Sequence, residues 1–257
     1  GDETFTRIYV SRERRRGRRE DERRDDADET LPDGLRSLWS DRLNEVMARH
    51  SQEVRFAFEV AAALGQTVDP REWRAVLTIL GIEPPDAVLE AMIYDRLCQE
   101  LEDGRWMFVH AMLREVLAQG ARESERWAGW NAACAQHLAN TSHHDHERRA
   151  NHYLAAGDAE SAIPLLLSAV LTYLRDRRDH IGGQRALFEC IRALRSQRVS
   201  RDSPQWLEAR ILWTYYRHMR PEGYDLIRHV ERNMAAATRS GEPHLETLAL
   251  LVQGTVL

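Results

Sequence analysis

The residues able to do chemistry in this chain are unevenly supplied. Histidines gather at Thr141-Ser142-His143-His144-Asp145-His146-Glu147, where imidazole and carboxylate are suitable transition-metal ligands. The spacing is poor for that purpose. His146-Glu147 resembles the start of a zincin helix, but the second histidine would fall at position 150, which is Ala150. A polar loop in which Asp145 or Ser142 caps the next helix accounts for the run, and no metal is expected. Cys98, Cys134 and Cys190 lie too far apart for a zinc framework, and three thiols make no even disulfide set, so a reducing, cytoplasmic setting is expected.

Lysine is absent. All 36 basic residues are arginine, set against 41 acids and a net charge of -5. A P-loop needs a lysine on the β/γ-phosphates, a protein kinase needs its strand lysine, and Schiff-base catalysis needs an amine. None can be housed here. Gly182-Gly183 is a lone pair rather than a phosphate loop. No catalytic residue is assigned, and the chain is not expected to be an enzyme by itself.

His110 stands apart. It lies where an apolar strand pattern, Trp106-Met107-Phe108-Val109, passes into a helical one, Ala111-Met112-Leu113-Arg114-Glu115. A histidine at a helix start can offer a ring N–H to a phosphate beside the partial positive charge of the helix N-terminus. A capping or packed histidine is the plainer reading.

These residues need a scaffold, and the chain of 257 residues supplies a mainly α one. Residues 1–30 read as a charged linker: 11–30 hold eight arginines and eight acids with almost nothing apolar. Residues 31–122 read as a winged-helix arm. Leu35, Leu38, Trp39, Leu43, Val46 and Met47 recur at helical spacing. Ser51 is placed to cap a second helix ending at Gly65; Asp69-Pro70 opens a third that Gly81 closes, and Pro84-Pro85-Asp86 opens a fourth running to about Leu97. Residues 97–101 and 105–110 flank Glu102-Asp103-Gly104 as the chain's one β-hairpin. A helix from Ala111 to about Ala121 follows.

Residues 123–257 read as tetratricopeptide-like helical hairpins. Ala150, Tyr153, Gly157, Ala162, Leu166 and Ala169 stand at offsets 0, 3, 7, 12, 16 and 19, where small residues let antiparallel helices approach. Gly183, Leu187 and Cys190 repeat that pattern imperfectly, and helices are expected near 204–219, 222–239 and from 243 onward. Trp39, Trp73, Trp127, Trp130, Trp206 and Trp213 fall on helical stripes as core anchors.

A winged helix invites a nucleic-acid reading, which charge opposes. Residues 83–96 carry Glu83, Asp86, Glu90 and Asp95 against Arg96, and the hairpin tip adds Glu100, Glu102 and Asp103 against Arg105. Phosphate neutralisation supplies most non-specific affinity, so this surface is expected to repel DNA. No apolar run approaches the roughly 18 to 20 residues that span a bilayer. The chain opens Gly-Asp-Glu rather than with Met and closes on a running apolar pattern, which suggests a segment of a longer polypeptide.

Residues 31–43 (LPDGLRSLWSDRL), Ala61-Ala62-Ala63-Leu64-Gly65 with Val68-Asp69, and Phe108-Val109-His110-Ala111-Met112-Leu113-Arg114-Glu115 together resemble a known region. It is the part following the nucleotide-binding core of bacterial signal-transduction ATPases with numerous domains (STAND type). The resemblance covers roughly residues 31–257 and is most specific in Phe-x-His-x-x-Leu-Arg-Glu. It implies that the winged helix packs on an upstream ATPase core holding ATP or ADP, with the P-loop, Walker B acid and sensor arginine before Gly1. It also implies that His110 senses a bound nucleoside diphosphate. Immune receptors of the same class carry Met-His-Asp there; Val109 and Ala111 depart from that form. Such proteins are often fused to a serine/threonine kinase, a cyclase or a transcriptional effector. The expected role is therefore a non-catalytic regulatory segment whose repeats bind a protein partner or small ligand, with a plain repeat scaffold lacking nucleotide switching as the alternative.

Overall fold

The computed structural model describes residues 33–141, 144–177, 179–218 and 226–256; the charged stretch 1–30 lies outside them. Among the described residues the fold is mainly helical, with three short antiparallel strands. Helix α1 (Asp33–Met47) buries Leu43 and Met47. Ser51 stands at the N-cap of α2 (Gln52–Leu64) in extended backbone, but its hydroxyl makes no capping bond, contrary to the role its type suggested. Gly65, at φ 144°, turns the chain into β1 (Thr67–Val68).

Helix α3 (Pro70–Leu80) starts and stops as its sequence dictates. Asp69 accepts from the Arg71 N–H, Pro70 occupies the first turn, and Gly81 ends the helix in the left-handed region at φ 68°. Helix α4 (Asp86–Tyr94) ends three residues before the expected Leu97. Leu97 is instead fully buried in the turn that leads to β2 (Cys98–Glu100). The hairpin then closes through Gly104, at φ 78°, onto β3 (Trp106–Phe108).

The sheet has the order β1-β3-β2. Cys98, Gln99 and Glu100 face Phe108, Met107 and Trp106, while Thr67 and Val68 face Met107 and Trp106. The expected hairpin is therefore two strands of a three-stranded sheet. Two-residue β1 is too short to show an alternating pattern. Helix, strand, helix, helix and hairpin in this order are the elements of a winged helix. Its centre is aromatic: Trp73 lies 5.6 Å from Phe58 and 5.4 Å from Trp106, and Trp106 lies 5.2 Å from Phe108, mostly in tilted or edge-on pairs. The Trp73 indole donates to the Ala57 carbonyl at 2.8 Å.

Helix α5 (Ala111–Glu123) buries Leu113, Leu117, Ala118 and Ala121. Helix α6 (Trp127–Thr141) belongs to both halves of the molecule. Its Ala133 and Cys134 join the winged-helix core together with Trp127 and Trp130, and it also packs against α7 (His146–Ala155). The division expected after residue 122 thus falls just before a helix that both parts share.

From α7 onward the chain is a run of helical hairpins: α8 (Ala159–Thr172), extended by a π-turn over Tyr173–Arg177, α9 (His180–Ser196), α10 (Pro204–His218), α11 (Leu226–Ser240) and α12 (Pro243–Val256). Neighbours pack in sequence, and α12 returns onto both α10 and α11. Ala150, Ala162, Leu166 and Ala169, all placed by spacing at helix contacts, are buried, and Gly157 makes the α7–α8 turn at φ 84°.

Candidate functional site

The segment around His110 is built by two strands and two helices. Phe108 is fully buried, its N–H donates to the Gln66 carbonyl at 3.1 Å, and its carbonyl accepts from the Gln66 side-chain amide. The Val109 N–H reaches the Leu97 carbonyl at 3.0 Å, so the chain leaves the sheet on both neighbours' hydrogen bonds. Leu113 is fully buried, Arg114 donates Nε to the Ala62 carbonyl at 2.9 Å, and Glu115 pairs with Arg122 at 2.7 Å. Each of these residues has a defined task in holding α5 against α2 and the sheet, or in stabilising α5 itself.

His110 is the N-cap of α5, in extended backbone at φ -122° and ψ 134°, and its side chain makes no capping bond. Its own carbonyl accepts from the Leu113 N–H at 3.0 Å, beginning the helix, while the imidazole is exposed. The ring lies 4.3 Å from that of Trp39 on α1, tilted by 43°. The first turn of α5 contains no acidic residue, so no carboxylate on the helix itself offsets the positive end of the helix dipole. Helix α1 is held nearby in turn, since Arg42 donates to the Asp95 carbonyl at the end of α4 at 3.1 Å.

The histidine-rich loop is arranged differently. His144, Asp145, His146 and Glu147 line a shallow cleft with Ala169, Thr172 and Tyr173; Ser142 and His143 lie outside the described residues. Asp145 precedes α7 but makes no capping bond. Glu147 is committed, accepting from the Tyr173 hydroxyl and from Arg185 Nη2 at 2.9 Å. Burial, with the charge of Arg149 behind it, pushes the His146 imidazole below its ordinary pKa. Among the described residues, no three His, Cys, Asp or Glu side chains converge as a metal site would require.

The three thiols are buried, and burial raises each to a pKa of about 12. On α4 the carboxylate of Asp86 pairs with Arg74 at 2.8 Å, while Glu90 and Asp95 are exposed beside Tyr94. At the hairpin tip Arg105 pairs with Asp103 and lowers its pKa through that hydrogen bond. No described helix is long and apolar enough to cross a membrane.

Two polar nodes escaped the sequence reading. Glu59, fully buried on α2, accepts from Arg126 and from the Trp130 indole; the only sign of it was a charged residue inside the apolar run AFEVAAAL. His152 and Asn131, both buried, bond at 2.9 Å between α7 and α6. Comparison with family models, with curated proteins and with solved structures yields no match.

Proposed function

We propose that this chain is a non-catalytic regulatory segment of a multidomain, ATP-dependent signalling protein. The winged-helix arm reads the nucleotide state of an upstream ATPase through His110, and the helical hairpins bind a partner or ligand. One observation carries the reading: in the Phe-x-His-x-x-Leu-Arg-Glu stretch, Phe108, Leu113, Arg114 and Glu115 all have packing or hydrogen-bonding tasks, whereas the His110 imidazole is exposed with no capping bond. A ring N–H at the positive end of a 13-residue helix is suited to a phosphate oxygen.

In mechanism, a bound nucleoside diphosphate touched by His110 favours a closed arm, and ligand on the hairpins shifts the population toward an open one. Sharing of α6 supports transmission, because a movement of the arm must carry α6 and hence α7. His110→Ala in the full-length protein is expected to weaken diphosphate affinity at least several-fold and to raise basal signalling. Unchanged diphosphate affinity together with unchanged basal activity would remove the sensor role. The substitution is compatible with folding, since what is lost is one aromatic contact worth about 0.5–1.5 kcal/mol. A free-standing interaction scaffold is the second reading, favoured by the buried bonds of Glu59 with Arg126 and of Asn131 with His152, which tie the arm, α6 and α7 into one rigid unit. Limited proteolysis separates the two: only a switch changes its cleavage pattern when triphosphate replaces diphosphate.

A further inference from the structure

We propose that Trp39 is the positioning residue for His110, and that through it helix α1 sets how readily the imidazole meets a phosphate. The inference rests on the sensor reading of His110 and names a second residue on which that reading depends. Among the described residues the exposed imidazole makes no hydrogen bond or ion pair. The backbone around it is fixed, by the Val109 N–H on the Leu97 carbonyl and by the Leu113 N–H on the carbonyl of His110 itself. The side chain has no such tie. An exposed histidine samples several rotamers, and a ligand that needs one of them must offset the freedom that is lost. The Trp39 ring, 4.3 Å away, restricts that choice in advance and leaves both imidazole nitrogens without a hydrogen-bond partner of their own.

Trp39 is itself firmly held. Trp39, Leu43 and Met47 stand four residues apart on one stripe of α1; Leu43 and Met47 are buried, and half-buried Trp39 packs on the same winged-helix core. Arg42 ties α1 to the Asp95 carbonyl at the end of α4, and Asn44 accepts from Arg55 on α2 at 3.2 Å. The indole is therefore an anchored surface against which a side chain without other ties rests. By contrast, the aromatic contacts of Trp73 and Trp106 run inward, to the buried rings of Phe58 and Phe108. A displacement of α1 removes the restriction on His110 and lowers affinity for diphosphate, so the first helix of the arm tunes the sensor without touching the nucleotide.

Fixing one side chain before the ligand arrives is worth roughly two- to tenfold in affinity. Trp39→Leu, which keeps an apolar side chain on the stripe, is expected to weaken ADP binding by the full-length protein by that factor, and Trp39→Phe, which keeps a ring, to retain most of the affinity. In a His110→Ala background Trp39→Leu should cost nothing further, which a general effect on folding would not produce. Proton NMR of the 257-residue chain reads the contact without nucleotide. The His110 ring signals, assigned by their loss in His110→Ala, should be displaced by the Trp39 ring current from the position of an unstacked histidine, less so in Trp39→Phe and not at all in Trp39→Leu. Undisplaced signals in the native chain, or a Trp39→Leu loss of equal size with and without His110, would overturn the proposal. Unchanged ADP affinity in Trp39→Leu where His110→Ala weakens it would overturn the positioning role alone. If His110→Ala itself leaves ADP affinity unchanged, the sensor reading falls and the positioning role with it.

Discussion

Glu59 and Arg126 form the joint between the winged helix and the hairpins. The Glu59 carboxylate, fully buried on α2, accepts from Arg126 Nη2 at 2.8 Å and Nε at 3.0 Å just before α6, with the Trp130 indole adding a third bond at 3.1 Å. The guanidinium also lies 4.6 Å over the Phe56 ring, and Arg55 Nε lies 3.5 Å from the same carboxylate. Breaking a buried pair by removing one partner leaves the other desolvated and uncompensated. Glu59→Ala is expected to lower the stability of the chain by about 3–5 kcal/mol. Urea unfolding followed by tryptophan fluorescence measures this; a loss under about 1 kcal/mol would show that solvent screens the pair.

His152 makes the fold sensitive to acid. Its Nδ1 meets Asn131 Oδ1 at 2.9 Å, and the Asn131 amide N–H is committed to the Trp127 carbonyl at 2.9 Å, so neutral His152 is the donor. Burial, then the charge of Arg148, lowers its pKa to about 4. The folded form thus resists a proton that the unfolded form accepts near its ordinary 6.5. Stability from this group is intact above pH 6.5, declines as pH falls, and has dropped by about 3 kcal/mol once pH passes below 4. Unfolding midpoints across that interval, compared between the native chain and His152→Gln, should show the acid-side slope only in the former.

Burial protects the thiols of Cys98, Cys134 and Cys190. With pKa values raised to about 12, almost no thiolate exists at neutral pH. Ellman's reagent should find none of the three in the native chain and all three in denaturant. Rapid reaction of any one without denaturant would place it in a locally opening segment.

Gly183 is a contact point between α9 and α10. A Cβ added there would stand 1.8 Å from the Tyr216 hydroxyl oxygen, and Tyr216 is itself only 3% exposed. Gly183→Ala is expected to cost about 1–3 kcal/mol through this overlap. The Tyr216 hydroxyl is buried with no hydrogen-bond partner among the described residues, so Tyr216→Phe should be close to neutral and should partly rescue Gly183→Ala. Thermal unfolding of the two single variants and the double variant checks both statements; no rescue would place the conflict elsewhere.

Sequence by itself determined the helical character of the chain, the start and end of α3, the hairpin around Gly104 and the small-residue contacts of α7 and α8. Each of these follows from local rules: Asp and Pro suit a helix start, glycine reaches positive φ, and a 3.6-residue apolar period marks a buried face. It also excluded lysine-dependent chemistry outright. Tertiary structure decided the rest. Two-residue β1 exists only because β3 lies beside it, and α6 serves both halves because Ala133 and Cys134 meet a core assembled from residues far earlier in the chain. Glu59 is tolerable inside AFEVAAAL because Arg126, 67 positions later, arrives next to it. His110 was visible as a histidine before a helix, but its exposure and its contact with Trp39 required α1 to fold back across the arm. Periodicity reports which face of an element is buried, whereas a partner across dozens of residues is chosen only when the elements pack.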